Sequence, residues 1–586
     1  MKQFQFEYIN DEQLSKELDR IAMWVSRTMT SGVCFQIFAE TMDLNRIEAV
    51  VGAVTASMPD ASYIGCSTNG NIINGAKSKS DIIIVCTVYE YPTTKIEVFQ
   101  YELTNENYRE VTADLINKVN EKDWVKAVEM LLTIRGMSMT GFCNELSKVK
   151  AGVQVFGGGA FSDDLNEEEA YVFSSSGSIS NHSAAFLLIG GEDLNITTNY
   201  ITGWKPLGRE LHITKAEGSR LIEIDNQPAF RAYEKYLKIG NDEYFFKNTL
   251  EFPLFYYYNG INILRAPTAC LPDESLIMTA DINEDVKARL AYGDPETIIS
   301  SIKEERNKLV AFRPEAVRIY SCAARRTFWG DNEVSTETLP LESLAPTSGF
   351  FTSGEFMRTG QFVNQHNVTL VIAGMREGKA PDLKTEDYSF GDEDNTGKYS
   401  LINRLANFIE ISTNELEEAN RRLEVMAITD ELTQLYNRRE IQHRIKAALK
   451  EEDASVSLIM LDIDYFKTVN DTYGHKVGDN VLRGLAGMLK DSLDRVRCNA
   501  VAGRWGGEEF MILLSNCPPG YANDAAEMIR KAFSELDFDG CPHQTISLGT
   551  ADAHDSESAD SLCSRADHAL YAAKNSGRNR VCSAEE

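Results

Sequence analysis

The sequence has no apolar run near the ~18–20 residues that a membrane-crossing helix needs. The longest candidates, Ile82–Val85 and Ala184–Ile189, are short. The opening stretch, MKQFQFEYINDEQL, holds one lysine and no apolar segment of the secretory kind. A soluble, cytoplasmic protein is therefore expected, with no membrane partner. The 11 cysteines include no C-x-x-C pair, which argues against a zinc ribbon and a thioredoxin-type redox site. Their odd number and dispersal in so long a chain argue against a disulfide framework, so most should be small buried apolar groups. Positive charge is also short. Lys and Arg total 59 against 88 Asp and Glu, a net charge of −29. A field of that sign repels nucleic acid and anionic lipid, so no nucleic-acid partner is expected. It does not forbid a nucleotide, because a few cations and divalent metals can reverse the field inside one cleft. No internal repeat and no long low-complexity tract is evident.

What is present is an ordinary globular composition, 43% hydrophobic and 25% charged over 586 residues. A single core rarely grows beyond ~250–300 residues, so three or four domains are expected. To about residue 375, short apolar runs alternate with Gly/Asp/Asn turns, and amphipathic helical stretches separate some of them, a mixed α/β pattern. The texture shifts near Gly218, where His212–Leu237 predicts two strands, a tight turn and a helix opened by Pro228. Residues 379–398 are acidic and poor in aliphatics, as in a solvated linker. Next, Ile402, Leu405, Ile409, Ser412, Leu416, Ala419, Leu423 and Met426 alternate spacings of three and four. That is a heptad seam with one polar position, roughly 36 Å long at 1.5 Å per residue. It fits a parallel two-stranded coiled coil, the alternative being an amphipathic helix lying on its own domain.

Chemistry concentrates near the C-terminus. The run SVSLIMLDIDYF, Ser455–Phe466, predicts a buried strand ending in carboxylates, with Asp462 and Asp464 on one face and Ile463 on the other. Acids at such a position are costly unless solvated, paired or on a metal, and oxygen ligands of this kind suit Mg²⁺. The run VAGRWGGEEFMILL, Val501–Leu514, predicts a hairpin turning at Gly506–Gly507, followed by Glu508 and Glu509. If the two strands are neighbours, Asp462 and Glu508 meet at one metal site of the kind that supports nucleotidyl transfer. Taken separately, each feature could be plain turn chemistry.

Together, these segments resemble the GGDEF domain of diguanylate cyclases. The signature here is Gly506-Gly507-Glu508-Glu509-Phe510, accompanied by DELTQLYNRR (430–439), LDIDYFKTVNDTYGHKVGD (461–479) and YAAKNSGRN (571–579). The resemblance covers about 160 residues. It implies a ferredoxin-like nucleotidyl cyclase palm that joins two GTP into cyclic di-GMP, releasing two pyrophosphates, across a homodimer. It assigns two Mg²⁺ per active site, with Mn²⁺ as an alternative, to Asp462, the Ile463 carbonyl, Glu508 and Glu509. Glu508 is implied as the base, a role that sits badly with a carboxylate already on a metal. Glu509 is implied as a second acid at the metal cluster, the alternative being a solvated hairpin carboxylate. Asn470 and Asp479 are implied as guanine readers and His475 as a pocket residue or a structural loop histidine. Lys574 and Arg578, four apart and on one face if the last helix reaches that far, are implied triphosphate contacts or surface charges, with Lys467 a weaker candidate. The family's product-inhibition site is degenerate: Arg497 is present and Ala500 replaces its aspartate, so feedback through it should be weak or absent. A relict, non-catalytic GTP-binding receptor is the rival reading, and retention of these residues weighs against it.

The N-terminal part resembles the FIST sensory module through IGCSTNG (64–70), VFGGGAFSDD (155–164), LHITKAEGSRLIEIDNQPAF (211–230), YSCAARR (320–326), GFFTSGEF (349–356) and HNVTL (366–370). This implies a small-molecule ligand, such as an amino acid. Cys322, Arg325 and Glu355 are its candidate contacts, each with a structural alternative. The expected layout is a FIST N-like domain at 1–219, a FIST C-like domain at 220–375, linker and coiled-coil helix at 376–426, and the cyclase domain at 427–586.

Overall fold

The computed structural model describes residues 1–134, 136–162, 169–258, 260–380, 396–451, 455–518, 520–541 and 543–584, with the side chains of 396–403, 417 and 424 also outside that description. Most of the expected linker, and the Ile402 side chain, therefore lie outside the described residues. The chain divides into two compact units, Met1–Ile411 and Ser412–Glu586.

The first unit repeats one topology three times. In the first repeat, Lys2–Glu7, Gly32–Ala39 and Ser62–Ser67 are joined by helices Asp11–Arg27 and Leu44–Ser57. A short hairpin (71–77) and the strand Ile82–Tyr89 follow. The second repeat runs in the same order from Lys95–Glu102 to Ser183–Gly190, and the third from Leu194–Ile201 to Leu370–Glu377. Each sheet holds a parallel pair joined through a helix, the repeat's last and first strands on one side, and on the other a hairpin donated by another repeat. The exchange is cyclic: 71–77 joins the third sheet, 172–180 the first and 355–366 the second. The expectation of no internal repeat is thus corrected. The repetition lives in backbone pairing and apolar pattern, which diverged side chains do not display.

Residues 204–293 are an insertion within the third repeat, forming an eight-stranded sheet of their own. The boundary expected at 219/220 falls at its hairpin turn, just after Gly218 (φ +58°). It therefore does not separate two compact units. The predicted two strands and helix are Trp204–Glu217, Arg220–Ile224 and Phe230–Leu237. The inner faces of the three repeats share one core that includes Phe38, Phe156 and Tyr320. Inside it, buried Arg318 donates to Gln36 and Thr87, each at 2.6 Å, while Glu129 accepts from Tyr320 at 2.7 Å. Polar side chains from all three repeats thus satisfy one another where solvent cannot.

In the second unit, a five-stranded sheet runs in the order Asn499–Gly506, Glu509–Ser515, Val456–Ile463, Ile546–Asp552, Val581–Ser583. All pairs are antiparallel except the last. The central strand is buried throughout because helices cover both faces. Ile459, Leu461 and Ile463 pack toward the helices His475–Leu493 and Tyr521–Ser534. Leu458 and Met460 pack toward Arg438–Ala448 and Ala559–Asn575. This is the α+β palm expected for the C-terminal region. Ahead of it, the helix Thr396–Ile428 carries Leu405, Ile409, Leu416, Ala419, Leu423 and Met426 exposed, so within this chain the apolar seam is uncovered.

The structure also corrects the view of the cysteines. Five of the free thiols are buried as expected, but Cys498 and Cys517 are joined in a disulfide. The hairpin pairs Asn499 with Ser515, which brings the two flanking sulfurs together.

Candidate functional site

Alternation along the central strand turns Asp462 to the face that carries the helix Ala559–Asn575. The last turn of that helix supplies Lys574, whose Nζ lies 2.7 Å from Asp462 Oδ2. Across the sheet, Asp462 stands directly opposite Glu509, and Ile463 N donates to the Glu508 carbonyl at 3.4 Å. Asp462 thus pairs with one ammonium, and Glu508 and Glu509 lie close enough to act on its charge. Burial pushes the Asp462 carboxyl up to about 6, and Glu508 and Glu509 add to the rise while Lys574 opposes it. A buried acid with acidic neighbours and one cation has an excess of negative charge that a divalent ion would relieve. Among the described residues, no three His, Cys, Asp or Glu side chains form a ready metal cage. The set instead suits a hard cation that takes its remaining oxygens from substrate and water.

Asp464 shares the strand end but is committed elsewhere. It accepts from Thr545 Oγ1 (2.7 Å), Ser547 Oγ (2.6 Å) and the Asn579 amide (3.0 Å). That last bond fastens the loop after the terminal helix to the central strand. It also explains a correction. The helix ends at Asn575, so Arg578 (φ +59°) is not on the Lys574 face but in the following turn. There its guanidinium stacks 4.4 Å from the exposed Tyr465 ring and donates to the Tyr465 hydroxyl at 3.3 Å. Lys467 is exposed in the first turn of the helix Phe466–Tyr473.

Asn470 and Asp479 come from successive helices joined at Gly474. A Cβ at Gly478 would collide with Asn470 Oδ1, so glycine lets the amide rest against the helix beside Asp479. Both polar residues are half-buried, whereas His475 is exposed at the helix start. Two further residues support the turn that bears the acids. Arg504 donates to the Gly507 carbonyl from Nε (3.0 Å) and Nη2 (2.7 Å), and its Nη1 reaches both Asp430 oxygens at 3.2 Å. The sequence signal was Asp430 at the head of DELTQLYNRR, to which no role attached until the pairing was seen. Arg497 is exposed at the far end of the hairpin, with its amide donating to the Tyr521 hydroxyl, and Ala500 is the second residue of the edge strand.

The candidate contacts of the first unit separate. Arg325 is fully buried, donates to Glu337 at 2.8 Å and stacks on Trp204, so its carboxylate partner is internal. Glu355 is fully buried and accepts from the Thr369 amide and hydroxyl, and burial pushes it up to about 8. Burial thus favours its protonated form, and its second oxygen, Oε1, has no hydrogen-bond partner among the described residues. Neither residue lines a described cavity. Cys322 does, in a cavity of about 380 Å³ between the inserted lobe and the repeats, with Phe161, Ile277, Met278, Ser353 and Gln365. A neighbouring cavity of about 350 Å³ shares Asp281 and Gln365. The Gln365 amide nitrogen is buried and has no hydrogen-bond partner among the described residues.

Comparison with known proteins follows this division. Residues 34–227 match the FIST N domain, 229–358 the FIST C domain and 427–580 the diguanylate cyclase GGDEF domain. The chain therefore carries these three domains in that order. It is 40% identical over 173 residues to diguanylate cyclase DgcM of Escherichia coli K12, covering 29% of this chain and 42% of the relative. It is 37% identical over 196 residues to diguanylate cyclase A of Treponema denticola, covering 31% and 50%. The chain thus spans about half the length of these curated relatives. Among solved structures, the coiled coil and GGDEF domain of Caulobacter crescentus DgcB with c-di-GMP aligns at 34% identity and TM-score 0.29, covering 32% of this chain and all of that one. The active GGEEF domain of a Vibrio cholerae diguanylate cyclase aligns at 36% identity and TM-score 0.24, covering 26% and 99%.

Proposed function

We propose that this chain, with its FIST N, FIST C and GGDEF domains, is a ligand-responsive diguanylate cyclase that condenses two GTP into cyclic di-GMP and two pyrophosphates. The observation that carries the reading is the pairing of Asp462 with Lys574 at the end of the central strand, opposite Glu509 and within the electrostatic reach of Glu508. Asp462, Glu508, Glu509 and the Ile463 carbonyl would hold magnesium, which when bound neutralises the triphosphate and stabilises charge at the reacting oxygens. Lys574 is already held at Asp462 and would receive phosphate oxygens, with Arg578 in the following turn and Lys467 on the helix Phe466–Tyr473 as further candidates. Asp479 accepts from guanine N1–H and N2–H, and Asn470 serves the remaining edge, which favours guanine over adenine. Arg504 fixes the Gly507 carbonyl and so the direction in which Glu508 and Glu509 point.

One such site holds one GTP, so two copies must face each other. The exposed seam from Leu405 to Met426 supplies the means, as a parallel coiled coil. The sensory ligand is placed in the cavities that share Gln365 and Asp281. There a small molecule would offer an acceptor to the orphaned amide and a donor to the carboxylate, against the apolar wall of Phe161, Ile277 and Met278. The test is incubation with GTP and a magnesium salt. Cyclic di-GMP and pyrophosphate should form in a 1:2 ratio, and excess ATP should leave the rate unchanged. Equal inhibition by ATP would remove the guanine assignment.

A further inference from the structure

The disulfide lies at the open end of the hairpin whose closed end carries Glu508 and Glu509. Cys498 and Cys517 lie just outside its outermost pair, Asn499 with Ser515, and their Cα atoms are 5.3 Å apart. The strand Asn499–Gly506 is an edge strand, paired along its length with Glu509–Ser515 and held on its outer side by a bridge to Tyr436, whose amide donates to Ala502 O (3.2 Å) and whose carbonyl accepts from the Arg504 amide (2.8 Å). An edge strand frays most easily from an unanchored end. Here one end is anchored by the turn and the other by the sulfurs. The two sulfurs differ. Cys517 is 5% exposed and belongs to the core, whereas Cys498 is half-buried and lies beside the exposed guanidinium-bearing Arg497. A partly exposed sulfur next to a cation is the one an external thiolate reaches.

We propose that Cys498–Cys517 is a reversible thiol–disulfide modification site that controls how firmly the edge strand, and with it the Glu508–Glu509 turn, is held. A small thiol such as glutathione attacks Cys498, breaking the Sγ–Sγ bond and releasing Cys517 as thiolate. A second thiol attacks the mixed disulfide, releasing Cys498 and forming glutathione disulfide. The two thiol protons end on the two cysteines, and glutathione disulfide reverses the sequence. Reduction frees the strand that carries Gly503 and Arg504. Gly503 bridges to Tyr436, and Arg504 holds the Gly507 carbonyl. The oxidised form is the competent one. This last step rests on the cyclase reading, and the modification itself does not.

The experiment equilibrates the full chain in reduced and oxidised glutathione. Free thiols are then alkylated and counted on the peptides containing Cys498 and Cys517, and the melting of the C-terminal unit and the rate of cyclic di-GMP formation are recorded. Two thiols should appear on reduction, with melting lowered by about 5–10 °C and turnover lowered several-fold. A C498S/C517S double variant should melt like the reduced parent and ignore glutathione. A pair that stays reduced in glutathione disulfide, or one whose closure leaves melting unchanged, overturns the site. Reversible closure without a change in turnover overturns the coupling to the turn. If no form makes product, the cyclase reading fails, while alkylation and melting still decide the modification.

Discussion

At the residue scale, the site depends on few side chains with separable duties. Glu508→Ala should lower turnover by at least about 10³-fold, as expected when a group at the charge-stabilising centre is lost. The far-ultraviolet circular dichroism should be unchanged. Gly478→Ala is a finer test. A helical glycine is normally improved by alanine, but Gly478 is buried and the new methyl would displace the Asn470 amide. We expect the KM for GTP to rise about tenfold with little loss of stability, measured from steady-state rates and thermal melting. In the first unit, Glu355 gives a pH signature. Its folded value, raised by burial to about 8, exceeds its unfolded value. The folded state therefore holds the extra proton, and stability is lost as pH rises from about 4.5 to about 8. Glu355→Gln should flatten that slope in melting curves and raise the melting temperature at pH 8.

At the scale of elements, the acid-bearing strand and the hairpin were legible because both rest on local rules, although the turn residues are Gly507 and Glu508, one later than expected. An unbroken apolar run signals a strand covered on both faces, and two glycines signal a turn. The neighbouring of the two strands was left conditional, since pairing is a long-range fact. Placing Arg578 on the Lys574 face was conditional on the helix continuing, and this helix stops at Asn575, so the condition is not met. Counting outward from the glycine turn does not pair Cys498 with Cys517, because the register shifts between Arg504 and Gly506 and only that shift brings 499 level with 515. The seam from Leu405 to Met426 was the clearest periodic signal in the chain, and its exposure agrees with a surface that awaits a partner. Leu416→Glu should weaken self-association by roughly 100-fold in sedimentation measurements and reduce turnover in proportion to the dimer lost.

At the scale of the molecule, the threefold repeat of the first unit lay beyond the sequence, because its hairpins are exchanged among sheets formed by distant segments. The change of texture near Gly218 was real but marked the interior of an insertion, not a boundary between compact units. That insertion lines the cavities around Gln365 together with segments of the second and third repeats. The account as a whole rests on catalysis at the second unit. The most direct measurement is the chromatographic resolution of products from GTP and Mg²⁺, made with the full chain and with its 396–586 segment, each beside Glu508→Ala. The account predicts cyclic di-GMP from the parent sequence and none from the variant. Product from both parent and variant, or from neither length of the parent chain, would contradict it.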